Sequence, residues 1–511
     1  MSRGFLSDVA CLLSAIFLLV CDASAQLPGG VAPGGLAKAK SDFFVDQSCN
    51  GGNCHGSKVD RAELWNRSGD IWLIHDPHRT AYDSLLTPES LEIVRRLWNS
   101  PEGAPSATLA PEYRSFLEAN CVACHASELA PISQRKLGVD CQSCHGSASV
   151  WGDSHYSAAW KELGAERFKD PSATGRINTE SPWVTAQVCG SCHVGQMGRH
   201  GSIEFDDQSK VAIEQREVSH RLMAAGHPPT YFELGHFLRR YPKHWWDQDN
   251  VADPGVSNEP RQTDPSPIAG RSLDTWRIGK IVNAKQRLEL LENRLGKPEW
   301  PELTEHRCTS CHHPIDSSLK QGQGKEGRRS TQPFAEWDGW YLEQVDLALA
   351  ITEFPMTNDS VELADPFQKP LVQSWIKHRA ELQGLLLHPL ALHNIESQNS
   401  AMAHCQAMLE ILSGVITSEL PLVDLDPVSL RDPLKKAWAQ RIASSVESMS
   451  WESAVQMKLA AQAIDPAMDY PVQDWDLPKQ MWKRAQSMPY KASRKFDWNK
   501  FYEQIQEQKK P

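Results

Sequence analysis

The sequence predicts a mainly α-helical protein with much irregular chain, in two parts. Three observations carry this. Close cysteine pairs, each followed at once by histidine, all fall before residue 315. Apolar residues recur at helical spacing after residue 334. Between them, residues 316–333 (DSSLKQGQGKEGRRSTQP) are polar, basic and glycine-rich, as a linker is, with a docking patch as the other reading.

The N-terminus reads as an export signal over residues 1–25. Arg3 is a short positive start, Val9 to Val20 is an apolar core too short for a comfortable membrane span, and Ala23-Ser24-Ala25 offers a cleavage site near Ala25. A lipid anchor at Cys21 and an uncleaved anchor are the other readings. The mature chain is then expected to be periplasmic or otherwise exported. Residues 26–40 (QLPGGVAPGGLAKAK) form a flexible Pro/Gly linker, and residues 41–315 hold all the cysteine units. Within that part, Thr87 as cap and Pro88 in the first turn start a helix running through Trp98. Residues 252–270 read as a surface loop, and 280–296 as a helix ending at Gly296. In the C-terminal helical subdomain, 334–511, Trp337, Tyr341, Val345 and Leu349 repeat every four residues. So do Leu434, Trp438, Ile442 and Val446, behind an Asp432 cap and Pro433. Further helices are expected at 370–388, 396–416 and 451–463. This part reads as a scaffold or a dimerisation surface, so a homo-oligomer is possible.

The chain of 511 residues carries a net charge of -11, with both signs mixed throughout. That argues against nucleic acid as a partner, because phosphate binding needs a basic surface. Trp (18) outnumbers Phe (14) and Tyr (9). Such flat side chains suit flat cofactors, or simply an ordinary core.

Without residues 1–25, ten cysteines form five close pairs and Cys405 is left over. Four pairs read Cys-x-x-Cys-His: Cys121/Cys124/His125, Cys141/Cys144/His145, Cys189/Cys192/His193 and Cys308/Cys311/His312. This is the attachment signature of haem c. Each thiol adds to one vinyl group of the porphyrin, and the following histidine supplies one axial nitrogen to the iron. A zinc ribbon also fits Cys121, Cys124, Cys141 and Cys144, but it explains neither the histidines nor the other pairs. A disulfide framework likewise has no need of the histidines. The early stretch QSCNGGNCHG spaces Cys49 and Cys54 more widely before His55. Gly51 and Gly52 allow the bulge a haem site would need there, with a disulfide or free thiols as the alternative. Five haem c groups are therefore expected, four of them on regular motifs. Cys405, spaced with Met402, Leu409 and Leu412, reads as a buried helix residue rather than a reactive thiol.

The second axial ligand decides the chemistry. An iron with two histidines passes electrons; one with an open side can transform a small molecule. His78, His155 and His227 stand in the most suggestive settings, followed by His75, His220 and His244. His155 follows the Cys141 unit closely, and His227 sits in a stiff Gly-His-Pro-Pro turn.

These residues carry a family likeness. The chain resembles multihaem cytochromes of the cytochrome c-554 type in the early Cys-x4-Cys-His-Gly and in the segment with Trp72, His78, Ala81 and Tyr82. The likeness continues in CQSCHG followed by His155, and in Gly226-His227-Pro228 followed by Phe232-Glu233-Leu234. It spans roughly residues 45–315. It implies a helical, loop-rich multihaem cytochrome c core with closely packed haems, usually two histidines per iron, and periplasmic electron transfer. Related enzymes act on hydroxylamine or nitrite. The chain departs from smaller members in its fifth unit and C-terminal extension, and it lacks the Cys-x-x-Cys-Lys motif of pentahaem nitrite reductases. The first expectation is an exported carrier of electrons between redox proteins or other cytochromes, with peripheral association to a membrane redox complex possible. The second is an oxidoreductase for a small nitrogen or sulfur compound at one five-coordinate haem.

Overall fold

The structure is a computed structural model. It describes residues 49, 54–56, 64–98, 103–108, 110–127, 132–146, 148–152, 154–164, 166, 176–197, 203–205, 209–211, 215–242, 244, 269–297, 300–306, 337, 340–353, 366–386, 394–418 and six positions within 453–463. The export segment, the linkers at 26–40 and 316–333, the unit Cys308/Cys311/His312 and the repeat Leu434 to Val446 lie outside the described residues.

Most of the described chain is helical. In chain order these include α1 (Ser68–His75), α2 (Pro88–Leu97), α3 (Pro111–Asn120), α4 (Cys141–His145), α5 (Pro182–His193), α6 (His220–Ala225) and α7 (Leu234–Arg240). The long α8 (Ala269–Leu295), α9 (Val345–Thr352), α10 (Pro370–Leu386) and α11 (Ile395–Thr417) follow. Two short antiparallel ribbons pair β1 (Gln196–Met197) with β4 (Gln215–Arg216), and β2 (Ile203–Phe205) with β3 (Ser209–Val211).

Helix α2 starts as its sequence dictates. The Thr87 hydroxyl accepts from the Ser90 N–H at 3.3 Å, and Pro88 occupies the first turn, where its missing N–H costs nothing. Its Val94 joins Leu85, Tyr113 and Leu117 in a small core, closed by the Tyr113 hydroxyl donating to Leu85 O at 2.5 Å.

Helix α8 is the axis of the larger core. It is buried on all sides, with α5, α7, α9 and α11 and the strand β1 packed along it. A helix in that position must be apolar all round or have its polar groups satisfied. Both occur. Trp276, Ile278, Ile281, Leu288 and Leu291 fill the core. Arg277 pairs with Asp274 at 2.6 Å, and Lys280 donates to Trp340 O and to Gln456 Oε1 at 2.9 Å. This helix begins at Ala269, well before the expected 280 and inside the segment read as a loop. Its first turns are polar, and tertiary packing rather than apolar periodicity fixes them.

Trp337, Tyr341, Val345 and Leu349 are all buried, but only Val345 onward is helical. Gln344 takes a left-handed conformation (φ 64°) immediately before α9, so the chain ahead of it turns. Trp337 instead bridges to His306 as an isolated β-pair. Helices α10 and α11 run close to their expected bounds. Cys405 is fully buried in α11, its thiol facing Leu288 O of α8 at 3.4 Å. The three most buried tryptophans, Trp276, Trp340 and Trp375, belong to this core.

Candidate metal centres

Four of the five Cys-Cys-His units lie among the described residues. Each histidine of these units faces one histidine from elsewhere in the chain. The ring centroids of His55 and His155 are 6.2 Å apart, those of His125 and His227 6.3 Å, those of His145 and His244 6.2 Å, and those of His193 and His78 6.0 Å. What sets these pairs apart is their pattern: each described unit histidine has one histidine from a distant part of the chain opposite it. Two imidazoles that shared one metal ion from opposite sides, with a metal–nitrogen bond of about 2.0 Å and roughly 1.1 Å from nitrogen to centroid, would stand about 6.2 Å apart.

The outer ring nitrogens are held from behind. Ser68 Oγ lies 3.0 Å from His55 Nδ1, and Thr179 Oγ1 lies 3.2 Å from His145 Nδ1. His125 Nδ1 meets Ala81 O at 3.1 Å and Ser84 Oγ at 3.2 Å. His155 Nδ1 meets Gly152 O, and His227 Nδ1 meets Pro228 O, each at 2.7 Å. His78 Nδ1 meets the Asp76 carboxylate at 2.8 Å. A carbonyl or carboxylate at Nδ1, as behind His125, His155, His227 and His78, places the proton there and leaves the Nε2 lone pair forward, as a metal-bound histidine requires; the hydroxyls behind His55 and His145 are compatible with the same tautomer. Burial favours the neutral ring as well: it pushes His145 down to about 3, and His193 and His227 down to about 4. Burial also lowers His125, His155 and His244. His78 differs. Burial would lower it, but the Asp76 carboxylate raises it above the ordinary histidine value.

The local folding of each unit follows from its sequence. Asp140 caps α4, accepting from Ser143 N–H at 3.1 Å, so the Cys141 unit is a helix from its first cysteine. The Cys189 unit is the last turns of α5, seated on α8 at Gly190. A Cβ there would meet Gln286 Oε1 at 1.9 Å. Tyr341 from the C-terminal part reaches the same unit, its hydroxyl 3.2 Å from His193 O. The units also touch one another. Cys192 Sγ lies 3.8 Å from Ala123 O, inside the Cys121 unit. Ser127 N–H donates to Gly138 O at 3.0 Å, and Val139 N–H to His78 O at 3.0 Å, immediately before the Cys141 unit.

Gly138 is required in that chain of contacts. It has φ +73°, and a Cβ would lie 2.3 Å from His78 O. Gly138→Ala is expected to destabilise the protein by about 1–3 kcal/mol and to displace His78, since backbone cannot yield as a side-chain tip can. Urea denaturation checks this; an unchanged midpoint would refute it.

Of the six histidines singled out as second ligands, His78, His155, His227 and His244 stand opposite unit histidines. His155 faces His55, far from it in sequence, rather than a histidine of the adjacent Cys141 unit. His75 is exposed at the end of α1. His220 begins α6, and its backbone N–H donates to Glu302 Oε1 at 2.9 Å. Asp76 and Tyr241 were not singled out. The signal for Asp76 was present in Asp76-Pro77-His78, an acidic cap two residues before a ligand candidate.

Among the described residues no three His, Cys, Asp or Glu side chains gather as a metal cluster, so Cys121, Cys124, Cys141 and Cys144 do not converge as a zinc ribbon would. None of the described cysteines, Cys49 and Cys54 included, forms a disulfide. Among the described residues no helix is long and apolar enough to cross a membrane.

Residues 140–218 match the family model for cytochrome c554 and c-prime. That segment holds two of the regular units and His155. The match supports a c-554-like cytochrome family, a c-type cytochrome in general, and with it haem c as the cofactor. No curated protein and no solved structure matches the chain.

Proposed function

We propose that this c-554-like cytochrome carries electrons outside the cytoplasm through five covalently attached haems, each iron held between two histidines. The observation that supports it most is the set of four histidine pairs at 6.0–6.3 Å, one on each described unit. When bound, haem supplies a reversible Fe(III)/Fe(II) couple. The chain's residues do the rest. Cys49 and Cys54, Cys121 and Cys124, Cys141 and Cys144, and Cys189 and Cys192 fix the porphyrins. His55, His125, His145 and His193 would each supply one nitrogen to an iron, and His155, His227, His244 and His78 would supply the second. With both sides taken by protein, no coordination position is left for a substrate, which favours electron transfer over bond-making chemistry.

The fifth unit, Cys308, Cys311 and His312, completes the set. His220 is kept as a candidate for its second ligand; its backbone N–H is held by Glu302, a few residues before Cys308 in sequence. The contacts that join the Cys121, Cys141 and Cys189 units support haems close enough to pass electrons in series. The export signal in residues 1–25 supports an extracytoplasmic site, as does the family, which is usually periplasmic. The partners are other redox proteins. The net charge of -11 favours those that present basic patches.

Mass spectrometry of the mature holoprotein and its EPR spectrum test this reading. Five attached haems are expected, all low-spin and unresponsive to nitrite, hydroxylamine or cyanide. Four haems would remove the Cys49 or the Cys308 site. One high-spin haem that binds those ligands would overturn the pure carrier and favour an oxidoreductase acting at that iron.

A further inference from the structure

Asp76 stands out among the groups behind the paired histidines. It is buried, 4% exposed, in a position where a carboxylate must be fully engaged. Its Oδ1 accepts from His78 Nδ1 at 2.8 Å and from the His78 backbone N–H at 2.9 Å. Its Oδ2 accepts from the Tyr241 hydroxyl. The partners behind His55, His125, His145, His155 and His227 are hydroxyls or backbone carbonyls, all neutral. His78 has an anion.

The cap alone does not explain this arrangement. Closing the short turn Pro77–Thr80 needs one oxygen on the His78 N–H, which Ser or Asn would also supply. The aspartate instead binds the ring nitrogen too, and it recruits a tyrosine from a distant segment. The Tyr241 ring lies 5.8 Å from the His78 ring and 6.0 Å from the His244 ring, between two ligands of different haems.

We infer that Asp76 lowers the reduction potential of the haem held between His193 and His78, acting through His78 as a positioning residue, and that Tyr241 moderates it. The inference rests on the proposed ligation by His78. A carboxylate on Nδ1 draws the ring proton toward itself and makes Nε2 a stronger donor to iron. A stronger donor, and a fixed negative charge in a poorly screened interior, both favour the more positive Fe(III). The Tyr241 hydroxyl takes up part of the carboxylate's charge and so weakens its hold on His78.

The test is an optical redox titration of the holoprotein, with EPR to follow each low-spin signal. Asp76→Asn keeps the cap and removes the charge. It is expected to raise the potential of one haem, increasing its Fe(II)/Fe(III) ratio at fixed potential tenfold, equivalent to about 59 mV for one electron. Tyr241→Phe removes the moderating donor and is expected to shift the same haem the opposite way. Opposite signs from two neighbouring variants are not what loosened packing gives. His78→Ala identifies the haem, since its low-spin signal becomes high-spin. An unmoved haem in Asp76→Asn, or shifts of the same sign in both variants, overturns the inference. If Asp76→Asn does not fold, Tyr241→Phe decides alone: no downward shift overturns it. If His78→Ala leaves every signal low-spin, the ligation itself fails, which is a different result from a ligating His78 that Asp76 does not tune.

Discussion

Replacing His227 with Ala is expected to turn one whole haem from low-spin to high-spin and to open it to cyanide. The His227 ring faces His125 at 6.3 Å, and its Nδ1 is pinned by Pro228 O at 2.7 Å. Burial keeps the ring neutral, with its value down to about 4, so its lone pair is available at physiological pH. Alanine leaves that side of the iron without a protein ligand. A five-coordinate ferric haem is high-spin and takes up exogenous ligands. EPR and the optical spectrum with added cyanide read the change, which is one haem equivalent. Matching single variants at His155, His78 and His244 should each convert a different haem. Should the His227→Ala spectrum remain fully low-spin, His227 is not a ligand and the pairing argument fails at its second member. The variant also tests the functional reading from the other side. It builds the open iron that an oxidoreductase of this kind would need, so any nitrite or hydroxylamine turnover gained by the variant measures what the second histidine suppresses.

The Cys-Cys-His motifs are readable because they are local. Two cysteines and a histidine in one short run can be recognised without any knowledge of the fold. The histidines that face them could be read only as candidates. His78 meets His193, and His125 meets His227, through tertiary placement that no local spacing encodes. His155 shows the difficulty well. Its nearness to the Cys141 unit in sequence marked it as a candidate for a neighbouring site but did not say which, and it stacks opposite His55. The fold divides in the same way. Thr87-Pro88 states the start of α2, because a cap is local. The start of α8 at Ala269 is not stated, because its early polar residues are satisfied by partners distant in sequence, Arg277 reaching Thr352 of α9 at 3.2 Å. The apolar repeat from Trp337 recorded burial faithfully, but one left-handed residue at Gln344 turned half of it out of the helix.

Glu305→Ala is expected to cost about 3–5 kcal/mol of stability, because it removes one partner from a buried charge network. Glu305 is fully buried. It pairs with Arg294 and with Arg287, the latter at 3.3 Å, and accepts from Trp337 Nε1 at 3.3 Å. Arg294 also holds Glu217 at 2.5 Å, and Arg287 donates to Thr304 O at 2.7 Å. These bonds fasten three segments to α8: the chain just before the Cys308 unit, the residues that lead into His220, and Trp337. Alanine leaves Arg287 without its carboxylate and Arg294 with only one. Burial alone would raise the Glu305 carboxyl, but Arg287 and Arg294 hold it below the ordinary glutamate value. A carboxylate lowered on folding stabilises the protein above its unfolded value, and that contribution is lost as pH falls through the folded one. The wild-type protein should therefore lose stability in acid below the usual glutamate range, and Glu305→Gln, which cannot ionise, should lack that part of the loss. Urea denaturation across the acid range measures both variants. A Glu305→Ala midpoint equal to that of the wild type would show that the network adds nothing.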